Sequence, residues 1–224
     1  MPGRLHFFLA SLVCLVLALL HIGGPFNWLG TWLHEISHGL AAIATGGSIT
    51  DITLNLDGSG EARSRGGSET LTTFSGYLGA PLLAGLLYLA ASLRGGASRV
   101  AIAVAAAATL CAALWYGRTL TTYAIGAVIA ALLAVIVLLG RYVHRRWPHA
   151  GIRLGQYAAL LVVVQEAIAP LGLIGAERQG DARHMAELTW IPALVWSLVW
   201  FAAGCLTFCL LARYGTRRPP TATR

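Results

Sequence analysis

Seven apolar runs, each close to the ~20 residues a helix needs to cross the hydrocarbon core of a bilayer, constrain this chain more than any other feature. They fall at about 5–22, 27–45, 72–93, 98–116, 119–139, 154–174 and 191–214. Lipid offers no hydrogen bonds, so each run must satisfy its backbone internally, and a helix does that. The predicted fold is an all-α polytopic membrane protein with about six to seven transmembrane helices. Composition agrees: 57% of the 224 residues are hydrophobic and 11% are charged, against roughly 25% charged in soluble domains. The formal net charge is +7. Its arginines flank the apolar runs, the usual dress of span ends, so the basic balance points to a lipid bilayer and not to nucleic acid. The first run follows Arg4 and has the outline of a signal peptide. Its length and the lack of a clear small-x-small site after it predict a retained helix.

The second run contains His34-Glu35-Ile36-Ser37-His38. On a helix, positions i and i+4 share a face, so both imidazoles can hold one Zn²⁺. Glu35 beside them can take a proton from the water that the metal activates. HExxH alone arises by chance in many chains, where satisfied core histidines and a paired Glu35 are the ordinary reading. Three ionisable groups in five residues of a membrane span are costly unless they face a cavity or a partner.

Residues 46–69 separate the second and third runs. Within them 47–56 alternate apolar and polar residues, with Ile52, Leu54 and Leu56 on one strand face. Asp57-Gly58-Ser59-Gly60 is a turn signal, and Glu61 to Arg65 is the predicted return strand. The reading is a β-hairpin at the membrane surface, whose exposed edge can pair with an extended peptide. The bland alternative is a polar loop. Gly76, Gly79 and Pro81, early in the third run, either shape a cavity or serve close helix packing. Residues 1–215 read as one integral membrane domain with 46–69 inserted, and 216–224 as a disordered tail. Cys14, Cys111, Cys205 and Cys209 all lie in apolar segments and read as small buried side chains, not as a disulfide framework.

Catalytic zinc takes three protein ligands and keeps one open position, so a third ligand is needed. The acids available are Asp51, Asp57, Glu61, Glu69, Glu166, Glu177, Asp181 and Glu187. The four in and beside the hairpin read as solvated. Glu166 lies well inside the sixth run, at a depth suited to a buried metal or to a hydrogen-bonded carboxyl. Asp181 stands shortly before the seventh run, where it would otherwise cap a helix beginning at Ala182. His184 reads as a surface histidine.

His34-Glu35-Ile36-Ser37-His38-Gly39 with Ala41-Ala42 and Thr45-Gly46-Gly47 resembles the first signature of the site-2 protease family of membrane-embedded zinc metalloproteases, more narrowly of its small bacterial branch. Ser75-Gly76-Tyr77-Leu78-Gly79-Ala80 resembles the segment that follows the hairpin in that branch. Gly180-Asp181-Ala182, Ala186, Leu188-Thr189, Ile191-Pro192, Trp196 and Trp200 resemble its C-terminal signature. The likeness covers about 33–200. It implies an intramembrane zinc metalloprotease of a bacterial cytoplasmic membrane, acting on membrane-protein or peptide substrates. His34 and His38 would be metal ligands and Glu35 the general base. The complete Asn-Pro…Leu-Asp-Gly signature that carries the third ligand in better-known members is not found in this sequence. Asp181 stands nearest to it, with Glu166 the alternative. Two rival functions fit the same chain: a non-catalytic scaffold or sequestering protein on this fold, and a metal or ion transporter using the buried histidines for transit. The absence of an internal repeat argues against an inverted-repeat transporter.

Overall fold

A computed structural model describes residues 2–20, 22, 24–93, 96–144, 150–173 and 180–217. The elements run α1 (Pro2–Leu19), α2 (Pro25–Ala44), β1 (Ser48–Leu54), β2 (Gly60–Arg65), α3 (Glu69–Ala91), α4 (Gly96–Tyr116), α5 (Leu120–His144), α6 (Ala150–Ile168) with a 3-10 turn (Ala169–Leu173), α7 (Asp181–Thr189) and α8 (Ala193–Arg217). The tail expected over 216–224 overlaps α8, which carries on through Thr216 and Arg217; residues 218–224 lie outside the described residues, as does Glu177.

Among the described residues, five helical stretches are long and apolar enough to cross a membrane: Glu69–Ala91, Gly96–Tyr116, Leu120–Leu139, Arg153–Leu173 and Ala193–Thr216. The sequence led us to expect six to seven. The apolar part of α1, Leu5–Leu19, is short for a span. α2 spans 20 residues, but Asn27, His34, Glu35, Ser37 and His38 lower its apolarity. It is enclosed by other elements instead: α3 and α6 pack on it, and the hairpin lies along it. α6 sits centrally, with Leu160, Val162 and Val163 all fully buried. The outward faces of α3 and α4 carry leucine and valine, as at Leu86, Val100 and Val104, which suits a lipid surround. Cys111 and Cys209 are likewise exposed, against the expectation that all four cysteines are buried; on a lipid-facing helix an apolar side chain needs no protein neighbour.

The hairpin is antiparallel, pairing Ile52 with Ala62 and Leu54 with Gly60, with a bulge between Ile49 and Asp51. α2 stops in a Schellman motif: the Gly47 N–H reaches the Ala42 carbonyl and Gly46 takes φ 88°, a conformation glycine adopts without penalty. The chain then folds back along α2. Ile49 lies against Gly39, Thr31 Oγ1 donates to the Gly58 carbonyl at 2.6 Å, and Trp28 Nε1 donates to the Leu56 carbonyl. Ile52 and Leu54 are buried as their shared face predicts, whereas Leu56 lies past the end of β1 and is exposed. The outer edge of β1 is occupied: Ile52 bridges Gly117, and the Leu54 N–H donates to Thr122 Oγ1 at 2.9 Å. Ser68 caps α3 and donates its own N–H to Thr45 Oγ1, tying the end of α2 to the start of α3.

Candidate metal centre

On α2, His34 and His38 fall one turn apart and point the same way, Nε2 to Nε2 at 3.0 Å. His38 Nδ1 lies 2.6 Å from the Thr72 carbonyl. A carbonyl only accepts, so this nitrogen carries a proton, and Nε2 is the nitrogen that a metal would take. The His34 ring is held edge-to-face by Tyr77, with centroids 4.4 Å apart. α3 can come this close because it offers glycine. A Cβ on Gly76 would stand 2.5 Å from His38 Nε2 and 2.6 Å from His34 Nε2, and one on Gly79 would collide with Ser37. Of the two roles weighed for Gly76 and Gly79, close helix packing is therefore the one the geometry supports, and neither glycine lines the cavity described below.

Asp181 arrives from the far end of the chain. It opens α7, with Gly180 as N-cap, and so does not cap the helix as its position before Ala182 suggested. Its Oδ2 lies 3.0 Å from His34 Nε2 and 3.3 Å from His38 Nε2. Burial on its own would raise the Asp181 carboxyl, but its bonds to the two imidazoles outweigh that and hold it below the usual aspartate range. α7 is docked by an apolar cluster in which Ala182, Met185 and Trp200 are buried against Phe74, Tyr77 and Trp196. Trp200 Nε1 donates to the Phe74 carbonyl at 3.0 Å. Thr189 Oγ1 accepts from Trp196 Nε1 and donates to the Met185 carbonyl. α7 ends at Trp190 in the left-handed region, φ 62°.

His34, His38 and Asp181 thus bring three ligand atoms together, the one such group among the described residues. Ligands ~2 Å from a tetrahedral ion stand ~3.3 Å from one another, and His₂-carboxylate is a donor set of catalytic zinc. Both the spacing and the ring orientation of His38, fixed through Nδ1, fit Zn²⁺. Glu166, the alternative ligand, is not in the group. Its Oε1 occupies the space a Cβ on Gly30 would need, one helical turn before His34. His184 pairs with Glu69, Nε2 to Oε1 at 2.9 Å, at the rim.

The three ligands border a cavity of about 1020 Å³. Glu35 is buried and lines it, beside the Ala62 backbone N–H of β2. Residues Gly60, Glu61, Ala62, Ser64, Gly66 and Gly67 supply one wall, so the outer edge of β2 faces this space. The model of the Peptidase M50B-like family matches residues 7–211. The chain belongs to that family. No curated protein and no solved structure matches it. Membership makes this M50B-like chain a site-2 protease family member and, with its five apolar helices, an integral multi-pass membrane protein.

Some of what holds this M50B-like centre gives no signal in the sequence. The Thr72 carbonyl that orients His38 is a group every residue carries, and only the fold says which one matters. Tyr77 and Trp200 stand inside the quoted signatures, but nothing in the spacing assigns one to His34 and the other to the α7 dock.

Proposed function

We propose that this protein is an intramembrane zinc metalloprotease that hydrolyses peptide bonds of membrane-protein substrates, in a bacterial cytoplasmic membrane. The observation that carries the reading is the meeting of His34, His38 and Asp181 beside Glu35 on the wall of one cavity. His34 Nε2, His38 Nε2 and an Asp181 oxygen would hold the ion. Zn²⁺ bound there would supply Lewis acidity, polarising a peptide carbonyl and making water acidic enough to react near neutral pH. Glu35 takes the proton as water adds to the carbonyl carbon, then passes it to the amine nitrogen as the C–N bond breaks. Burial of Glu35 keeps bulk water from competing for that proton. The edge of β2 offers backbone groups for an extended substrate strand, next to the base.

Against the scaffold alternative stands the Asp181 carboxylate, which lies beside both imidazoles where a third ligand would be needed. Glu35→Gln tests the proposal: purified in detergent with zinc, it should lose cleavage of a transmembrane peptide while keeping one metal per chain. Normal turnover by that variant would remove Glu35 from the role and the proposal with it.

A further inference from the structure

The charges of this protein are distributed very unevenly around the cavity. Glu35, Glu61, Glu69, Glu166 and Asp181 line it, and no arginine does so among the described lining residues, in a chain whose formal net charge is +7. Four of these five have a visible occupation. Asp181 meets the two histidines, Glu35 is the proposed base, Glu61 pairs with Arg63 and Glu69 with His184. Glu166 has none. It is 8% exposed, and no hydrogen bond or ion pair to a described residue engages its carboxyl. Its neighbour Gln165 donates to Asn27 Oδ1 at 2.6 Å, which fixes α6 against the first turn of α2. A buried carboxyl is costly to keep charged, and this one, with no hydrogen-bond partner among the described residues, borders the space a substrate would enter.

Glu166 near the end of α6, and Ala169 and Leu173 in the 3-10 turn that follows it, all contribute to the wall of the cavity. That wall is apolar at two positions and carboxylate at the third. It suits a side chain with a long aliphatic stem and a cationic head, the stem lying on Ala169 and Leu173 and the head meeting Glu166. We infer that Glu166 is a specificity-determining residue that receives an arginine or lysine side chain of the substrate close to the scissile bond. The inference rests on the protease reading of the neighbouring centre. It assigns Glu166 to substrate recognition and not to the metal.

The test compares peptides that differ only in charge. Alanine- and leucine-rich peptides carry a single arginine moved through each position, and a matched series carries citrulline, an uncharged isostere. With the zinc-loaded protein in detergent, the best arginine peptide should exceed its citrulline twin in kcat/KM by about tenfold to a hundredfold, the worth of a charge-assisted hydrogen bond. In Glu166→Gln that ratio should fall to about one. Gly30→Ala, whose Cβ would displace the Glu166 carboxyl, should lower it in the same direction. Binding of the fluorescein-labelled twins to Glu35→Gln protein reads the same preference without turnover. If neither series is cut, the protease reading fails, and the binding ratio still decides the role of Glu166. A wild-type ratio near one in the assay that reports, or a ratio that Glu166→Gln leaves intact, overturns the assignment.

Discussion

Asp181 Oδ2 lies 3.0 Å from His34 Nε2, although 147 residues separate the two in sequence. The contact joins α2 to α7, two elements whose positions depend on different parts of the fold. Removing the carboxylate leaves two imidazoles on one helix, an incomplete set for zinc. Asp181→Ala should weaken zinc binding by more than the ~10–100-fold typical of losing an outer-shell partner, and activity should fall with metal content. Competition with a chelator of known affinity measures it. Zinc held as tightly as in the wild type would mean that another group is the third ligand. Asp181→Asn should fall between the two, since an amide oxygen can coordinate without supplying charge.

Gly76 is a sharper probe because it is neither ligand nor base. A methyl group there would stand 2.5 Å from His38 Cε1 and Nε2. His38 cannot swing aside without giving up its bond to the Thr72 carbonyl. Gly76→Ala should therefore displace the rings, and misplacement of about 1 Å in a reacting centre can cost ~10²-fold in rate. Overpacking of this kind costs ~1–3 kcal/mol, small enough for the chain to stay folded. A folded Gly76→Ala protein with wild-type zinc affinity and turnover would show that α3 does not confine the histidines.

The centre was legible in the sequence where its geometry is local. His34, Glu35 and His38 need only one helical turn to come together, and five residues express that turn. The hairpin was legible for the same reason, since Ile52 and Leu54 alternate with polar neighbours and both are buried. Asp181 was harder. A carboxylate before a helix reads equally well as a cap, and choosing between Asp181 and Glu166 depends on how α6 and α7 pack. α2 is less apolar than the other long helices, and its polar residues require the enclosure that α3, α6 and the hairpin provide, which its length alone does not announce. The Thr72 carbonyl has no side-chain signature at all.

Trp200 links packing to chemistry. It is fully buried, stacks on Phe74 at 6.1 Å, and helps to hold α7 with Asp181 at its first position. Trp200→Ala should cost ~3–5 kcal/mol through the cavity it leaves. Trp200→Phe keeps a ring and removes the bond to the Phe74 carbonyl, for about 1 kcal/mol. Zinc affinity should fall in the order wild type, Phe, Ala, with faster amide exchange in α7 ahead of that in α6. Uniform loosening of all helices would instead mark Trp200 as general core.

Thr122 anchors the hairpin from the opposite side. It is fully buried, and its hydroxyl accepts the Leu54 N–H at 2.9 Å while bonding Thr119 Oγ1 at 2.7 Å. Thr122→Val keeps the shape and leaves the Leu54 N–H unpaired, a loss of ~1–3 kcal/mol for a buried donor. Because β1 and β2 are paired, a loosened β1 should also loosen the β2 edge that runs past Glu35. We expect faster exchange at Leu54 and Ala62 and a higher KM for peptide substrates, with zinc stoichiometry unchanged, since no metal ligand lies on the hairpin. Hydrogen exchange measured by mass spectrometry, alongside steady-state kinetics, checks both. Exchange confined to Leu54 with KM unmoved would mean that β2 holds its place without support from β1, whereas faster exchange at Ala62 with KM unmoved would mean that substrate does not use the edge.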